Sequence, residues 1–282
     1  MSECIRSTQM SDHSVVIETH NLTKVYGDGA GVRALDGVNL TVHVGEFVSI
    51  VGPSGSGKST LLNLLGALDR PTSGEVIING TPLARVRDLD HFRSQTVGFV
   101  FQTHNLIPTL TARENVEVPM YESGWSGKKR RTRAEELLQL VGLGARLNFL
   151  PNQLSGGERQ SVAVARALVN HPAIILADEP TGNLDSKTTA EIMRLLSDLN
   201  HSPGTTLIVV THNHEVARAT RRIVTLRDGK IEHDLAVSSA FEGDLIDLKN
   251  SRLGQAILHN NAELPEDLRD FAPQLKTLLE RV

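Results

Sequence analysis

One stretch of this chain has the residue types and spacing of a phosphate-binding loop. Residues 52–60 fit the pattern G-x-x-x-x-G-K-[ST]. Gly55 and Gly57 allow the backbone to curl so that successive N–H groups point inward at an anion. Lys58 can then reach terminal phosphates, and the Ser59 hydroxyl can bind Mg²⁺. We therefore predict a phosphate site formed by Gly52, Pro53, Ser54, Gly55, Ser56, Gly57, Lys58, Ser59 and Thr60.

The residues on either side provide the elements that such a loop requires. An apolar run from Phe47 to Val51 precedes the loop and predicts a short buried strand. Small and apolar residues follow from Thr60 to Leu68 and predict a helix, whose N-terminus adds partial positive charge at the loop. The alternative is a glycine-rich turn before an ordinary helix, and the strand–loop–helix order argues against it.

Other polar residues stand directly after apolar runs that predict buried strands. These are Gln102 after 97–101, the pair Asp178 and Glu179 after 173–177, and His212 after 205–211. Uninterrupted apolar strands are typical of a parallel sheet that is covered on both faces. Because ligands of such a sheet bind beyond the carboxyl ends of its strands, we expect these side chains to converge on the phosphate loop.

The residue types at these strand ends are those of phosphoryl transfer. Asp178 can hold Mg²⁺ through water, and Glu179 can orient or deprotonate an attacking water. Gln102 can contact both the metal and that water, and His212 can contact a γ-phosphate. Taken alone, Gln102 also fits a plain strand terminus and His212 a structural histidine. Their occurrence together with the phosphate loop favours the functional interpretation.

Further candidates lie away from these strand ends. Ser155, Gly156 and Gly157 open a second predicted helix and combine a hydroxyl, backbone N–H groups and a helix dipole, which makes a second anion site. The residues alone leave open whether both anion sites bind one nucleotide. Tyr26 can stack on an adenine ring, although a core or turn aromatic fits this position equally well.

Length, charge and cysteine content limit the classes of protein to which this chain can belong. A chain of 282 residues is long enough for one large α/β domain with a small appendage. The net charge of −4 gives no basic field that would favour nucleic acid as the main partner. Cys4 is the only cysteine, which is typical of a reducing cytoplasm. No apolar run approaches the ~20 residues that span a bilayer, and no signal pattern opens the chain, so we expect a cytoplasmic protein.

The patterns along the chain predict an α/β fold with several parts. Polar residues 1–14 predict a disordered tail. Residues 15–234 predict the main domain, which begins with an antiparallel β layer, and a helical subdomain occupies about 103–165. The basic cluster at 128–131 fits a solvated helix start better than a lipid or nucleic-acid patch.

Residues 235–282 predict a C-terminal helical extension. Leu245 to Ile257 predict one amphipathic helix, and Leu264 to Leu279 a second one that Pro273 interrupts. A packing appendage is the simpler interpretation of this extension, and a regulatory or partner-docking element is the alternative.

The ordered set of motifs resembles the ATP-binding subunit of ABC transporters from about residue 15 to 234. In that resemblance Tyr26 is the adenine-stacking aromatic, residues 52–60 match the Walker A loop and Gln102 matches the glutamine loop. Residues 154–158 match the LSGGE signature, residues 174–178 match Walker B, and Glu179 is the catalytic glutamate. Residues 182–185 match the dimer-contact loop, and His212 is the switch histidine. The fold that it implies is a P-loop NTPase core with a mostly parallel sheet, an antiparallel β layer and a helical subdomain.

The resemblance also implies cofactors and partners. ATP and Mg²⁺ would be the cofactors, with Lys58, Gln102, Glu179 and His212 as catalytic residues and Ser59, Gln102 and Asp178 at the metal. Two subunits would pair head to tail, so that Ser155, Gly156, Gly157 and Asp185 of one meet the ATP of the other. A transmembrane permease on a separate chain would dock on the helical subdomain, which implies a protein at the cytoplasmic face of the membrane.

Narrower features resemble the lipoprotein-release and macrolide-efflux subfamily. They are residues 99–102, 105–108, 111–116 and 180–185. That subfamily includes a cell-division relative, so an ATPase that transmits force to a membrane complex and moves no cargo is the alternative function. A DNA-repair or ribosome-associated ATPase of the same superfamily is disfavoured, because such proteins usually carry large insertions or two nucleotide domains. The extension after residue 234 departs from the family pattern.

Overall fold

The computed structural model describes residues 14–27, 31–122, 124–201 and 205–237, and in the C-terminal segment residues 245, 248–249, 251–259 and 272–280. The predicted disordered tail lies outside these residues except for Ser14, whose carbonyl accepts a hydrogen bond from the Val44 N–H.

The first strands form an antiparallel sheet with the order β2-β1-β4-β5. Its strands are β1 (Val15–Tyr26), β2 (Val32–His43), β4 (Ser73–Ile78) and β5 (Thr81–Pro82). In β2 every second residue from Val38 to Val42 is buried, as the alternation predicted. The predicted antiparallel β layer is therefore confirmed.

The second sheet is mostly parallel, with the order β10-β9-β3-β8-β7-β6. Its strands are β3 (Phe47–Val51), β6 (Val97–Phe101), β7 (Ile174–Asp178), β8 (Thr206–Val210), β9 (Arg222–Arg227) and β10 (Lys230–Ala236). Strand β10 runs antiparallel to β9, which forms the predicted final hairpin. The central strands are buried on both faces because helices and the antiparallel layer cover them.

Alternate residues of the parallel strands enter different hydrophobic cores. Ile174, Leu176 and Ile208 pack with the antiparallel layer and with helix α1 (Lys58–Leu65). Ile175 and Leu207 point to the other face, which the remaining helices cover. The strict alternation fixes the register, since a slip of one residue would exchange the two faces.

The remaining helices of the main domain lie along the second face and at the sheet edges. They are α2 (Leu89–Thr96), α3 (Ala112–Glu117), α4 (Gly127–Leu140), α5 (Gly156–Ala167), α6 (Ser186–His201) and α7 (His214–Arg218). Buried residues of α3, α4 and α5, among them Val116, Leu138 and Val162, pack in one cluster. This cluster forms the helical region that the sequence predicted.

The C-terminal segment contributes helices α8 (Arg252–Leu258) and α9 (Ala272–Leu279), which pack through Ile257 and Leu279. The first predicted helix is interrupted, because the Ser251 hydroxyl accepts the Gly254 N–H and caps a new helix. The prediction that Pro273 interrupts the second helix stays a prediction, because residues 260–271 before it lie outside the described residues. Pro273 lies in the first turn of α9, where its missing N–H costs nothing. Leu264, Leu268 and Phe271 lie outside the described residues.

None of the helices in the described ranges is long and apolar enough to cross a membrane.

Candidate functional site

The predicted strand-end residues lie at one edge of the parallel sheet. Strands β3, β8, β7 and β6 are consecutive neighbours, and Val210 pairs with Ile50 on one side and with Asp178 on the other. Asp178 in turn pairs with Phe101. The phosphate loop, Thr211, Glu179 and Gln102 therefore leave adjacent strands at the same level. This is the edge at which parallel sheets bind ligands.

The phosphate loop needs its glycines for space as well as for conformation. A Cβ on Gly52 would lie 2.1 Å from the Leu226 carbonyl oxygen, and one on Gly57 would lie 2.3 Å from the Ala34 carbonyl oxygen. Gly57 also has a φ of +103°. Larger residues at either position would displace the loop from the neighbouring strands.

The loop presents hydrogen-bond donors to an anion. No side chain caps the N-terminus of α1, and its first turn holds no acidic residue. The Lys58 ammonium donates to the carbonyl oxygens of Gly52 and Pro53 at 2.8 and 2.9 Å, so it bridges the loop. Free N–H groups, a helix dipole and an ammonium at one point suit a phosphate.

Asp178 has the chemistry expected of a ligand to a hard cation. Burial, and then the charge of Glu179, raise the pKa of Asp178, while Lys58 and a hydrogen bond from Ser59 oppose the rise. A nearby cation would relieve that unfavourable charge. The described residues hold no group of three or more His, Cys, Asp or Glu side chains that could bind a metal unaided. The hydroxyl of Ser59 and the carboxylate of Asp178 fit Mg²⁺ that keeps water and phosphate oxygens as its other ligands.

Gln102 lies against the loop that follows Glu179. Its Nε2 donates to Asn183 Oδ1, and Asn183 Nδ2 donates to the Gln102 carbonyl, both at 3.3 Å. A Cβ on Gly182 would lie 2.7 Å from Gln102 Nε2. The structure therefore ties the predicted glutamine to residues 182–183, a contact that the sequence did not predict.

Glu179 and His212 are in direct contact. Glu179 Oε1 lies 2.6 Å from His212 Nδ1 and accepts the His212 backbone N–H at 3.0 Å, while Oε2 accepts the Thr211 hydroxyl at 3.1 Å. Glu179 has a φ of +46°, which is uncommon outside glycine, and its N–H donates to the Val210 carbonyl. Backbone strain of this kind concentrates at functional sites. Sequence reasoning missed Thr211, whose position before His212 on a buried strand was the available signal.

Ser155, Gly156 and Gly157 form the start of α5. The Ser155 hydroxyl accepts the Glu158 N–H at 3.2 Å, and the Glu158 carboxylate accepts the Ser155 N–H at 2.8 Å. A Cβ on Gly157 would lie 2.5 Å from Thr188 Cγ2, and one on Gly156 would lie 3.1 Å from Leu184 Cδ2. The predicted second anion site therefore packs on the start of α6 of its own chain.

Asp185 caps α6. Its carboxylate accepts the Thr188 N–H at 3.0 Å and the Thr188 hydroxyl at 2.7 Å. These hydrogen bonds hold the pKa of Asp185 below its ordinary value, so the group remains charged. The loop from Gly182 to Asp185 thus links Gln102 to the start of α5.

Tyr26 ends β1 and is 42% exposed, so it is not a core aromatic. Lys24 pairs with Leu35 across β1 and β2, and a Cβ on Gly57 would lie 2.9 Å from Leu35 Cδ2. The exposed end of the antiparallel layer therefore lies beside the phosphate loop.

A cavity of about 650 Å³ lies between the parallel sheet and the helical region. Its lining includes Phe99, Asn105, Tyr121 and Arg166. Arg166 donates to the carbonyl oxygens of His104 and Asn105 at 2.7 Å each. Both acceptors have positive φ, so the guanidinium fixes the unusual segment that follows Gln102.

A protein-family model described as "ABC transporter" matches residues 35–182. An uncharacterized ABC transporter ATP-binding protein of Thermotoga maritima is 56% identical over 220 residues, which cover 77% of this chain and 94% of that protein. The lipoprotein-releasing system ATP-binding protein LolD of Bacteroides thetaiotaomicron is 47% identical over 221 residues, 78% of this chain and 100% of LolD.

Solved structures agree with these relatives. The dimeric post-hydrolysis state of the ATP-binding cassette MJ0796, bound to ADP and Pi, matches with a TM-score of 0.72 and 50% identity. The match covers 79% of this chain and 99% of that one.

Proposed function

This chain belongs to the ABC transporter family, and on that basis we propose that it is an ATP-hydrolysing subunit that pairs head to tail with a second copy and drives a separate transmembrane permease. The observation that carries the proposal is the single sheet edge at which the phosphate loop, Asp178, Glu179 and His212 meet. Such an edge joins phosphate binding, metal binding and water activation in one place.

Each part of the nucleotide has a proposed contact. Tyr26 stacks on the adenine, and residues 52–60 surround the phosphates. Lys58 leaves the carbonyl oxygens of its own loop for the terminal phosphates, since a charge-assisted contact with phosphate is the stronger one. Ser59, Gln102 and Asp178 would hold Mg²⁺, which would supply positive charge at the phosphates.

Glu179 acts on the attacking water. Its carboxylate accepts a proton from that water, while the Thr211 hydroxyl and the His212 backbone N–H hold its orientation. His212 moves from Glu179 to the γ-phosphate when ATP binds. The contribution of these residues is positioning and electrostatics, which is the main requirement of phosphoryl transfer.

In the proposed dimer, the second copy supplies residues that complete the ATP site of the first. Ser155, Gly156 and Gly157 present the N-terminus of α5 beside Asp185 and cap the ATP held by the partner's phosphate loop. The 50% identical cassette MJ0796, a dimer bound to ADP and Pi, supports this arrangement. The contact between Gln102 and Asn183 gives each site a path to the dimer interface.

The proposed docking site for the permease is the cavity lined by Phe99, Tyr121 and Arg166. A chain docked in this way would lie at the cytoplasmic face of the membrane. Arg166 joins that cavity to the segment after Gln102 and so connects docking with the nucleotide. The 47% identity with LolD supports a partner of the lipoprotein-release and macrolide-efflux type.

Light scattering and phosphate release test the proposal. The purified chain should hydrolyse ATP only when Mg²⁺ is present, and ATP should convert the Glu179→Gln variant from monomer to dimer. Failure of the wild-type chain to release phosphate would contradict the proposed activity.

A further inference from the structure

Tyr26 is held by two charged side chains that no motif includes. Its hydroxyl donates to Asp69 Oδ2 at 3.0 Å. The Lys24 ammonium donates to Asp69 Oδ1 at 2.7 Å and lies 4.9 Å from the centre of the Tyr26 ring. The phenol ring therefore has a carboxylate at its hydroxyl and a cation over one face.

The carboxylate that holds Tyr26 is itself fixed. Asp69 Oδ1 also accepts the Arg70 N–H, and Lys24 also donates to the Arg70 carbonyl, each at 2.7 Å. Lys24 is only 13% exposed. The hydrogen bond from Lys24 lowers the pKa of Asp69, so the carboxylate stays charged.

Asp69 follows the end of α1, the helix that begins at Lys58. The Leu68 and Asp69 N–H groups both donate to the Asn63 carbonyl, which ties Asp69 to that helix. One rigid element therefore carries the phosphate-binding lysine at its start and the anchor of the aromatic ring just beyond its end. The distance from the phosphates to the ring is set within the protein before any nucleotide arrives.

We propose that Asp69 and Lys24 are positioning residues for the nucleobase, because they hold the Tyr26 ring in the orientation that a base requires. The inference rests on the proposed stacking of Tyr26 on adenine. An unanchored ring would lose its rotational freedom on binding, at a cost that weakens binding roughly two- to tenfold. This loss of affinity is expected for ligands that contain a base and not for ligands that consist of phosphate alone.

Calorimetric titration with MgATP and with magnesium tripolyphosphate tests the inference. The variants are Asp69→Asn, Tyr26→Phe, which keeps the ring and loses the hydroxyl, and Tyr26→Ala. Asp36→Asn is the matched control, because Asp36 is also paired with basic side chains, Arg33 and Lys230.

We expect Asp69→Asn and Tyr26→Phe each to weaken MgATP binding roughly two- to tenfold while tripolyphosphate binding stays unchanged. The double variant should be no weaker than the worse single variant, since both act on the same contact between Tyr26 and Asp69. The Asp36→Asn control should match the wild type.

The titration results distinguish the proposed stacking of Tyr26 on adenine from the proposed anchoring of its ring. Unchanged MgATP binding in Tyr26→Ala would overturn the stacking itself, and the inference with it. A loss in Tyr26→Ala with wild-type affinity in Tyr26→Phe and Asp69→Asn would overturn the anchoring alone. Equal weakening of MgATP and tripolyphosphate would assign Asp69 a purely structural role.

Discussion

Glu179 Oε1 lies 2.6 Å from His212 Nδ1, across the ends of the neighbouring parallel strands β7 and β8. Thr211 and the His212 backbone hold the same carboxylate, which leaves it little freedom to turn. A general base with a fixed orientation is what water activation needs.

Replacing Glu179 by Gln should leave ATP binding intact and slow hydrolysis about 10²- to 10⁴-fold, since an amide cannot take the proton of water. Phosphate release measures the rate, and calorimetry measures binding. Turnover equal to the wild type would contradict the role of Glu179.

Replacing Lys58 by Ala should weaken ATP binding at least about tenfold, because charged hydrogen bonds to the phosphates are lost. Lys129→Ala is the control, since the Lys129 ammonium lies over the Trp125 ring in the helical region. Wild-type affinity in Lys58→Ala, measured by calorimetry, would remove Lys58 from the phosphate site.

Replacing Gly157 by Ala should destabilise the start of α5 by about 1–3 kcal/mol through overpacking on Thr188. Thr188 cannot easily turn away, because Asp185 accepts its hydroxyl. Adding Thr188→Ser removes the clashing methyl group and should restore most of the stability in urea unfolding. Equal destabilisation with and without the second change would show that the contact is unimportant.

Stability should fall in acid partly through Glu158. The Ser155 N–H lowers the pKa of Glu158 in the folded chain. Its stabilisation is therefore complete above the ordinary glutamate pKa and is lost as the pH falls through the lowered folded value. Urea unfolding at several pH values should show a shallower acid loss in Glu158→Gln than in the wild type. Parallel pH profiles would contradict this contribution.

Local patterns predicted most of the sheet. The continuous apolar run at Phe47–Val51 has the same bounds as the observed strand β3, and the runs before Gln102 and Glu179 also form strands. Helix α1 begins earlier than the predicted Thr60, because the left-handed Gly57 ends the loop at Lys58. The helix also ends at Leu65, before the predicted Leu68, and the Ala67 backbone that follows is left-handed.

Local sequence patterns could not predict contacts between residues that are far apart in the chain. The hydrogen bond from Tyr26 to Asp69 joins residues 43 positions apart and depends on how β1 packs beside α1. The contact of Gln102 with Asn183 spans 81 positions. Neither pair has a spacing that a helix or strand period would reveal.

In the proposed dimer, each ATP lies between the phosphate loop of one copy and the start of α5 of the other. Lys58→Ala and Ser155→Arg should each be inactive alone. Mixed, they form a heterodimer in which one site has both an intact Lys58 and an intact Ser155, from different copies. Lys58→Ala mixed with Glu179→Gln is the control, since both residues serve the same nucleotide from one copy.

The decisive measurement is therefore ATP hydrolysis by these two mixtures. We predict that mixing Lys58→Ala with Ser155→Arg raises phosphate release well above that of either variant alone, while the control mixture stays inactive. Absence of rescue in the first mixture, or equal activity in both, would contradict the head-to-tail arrangement.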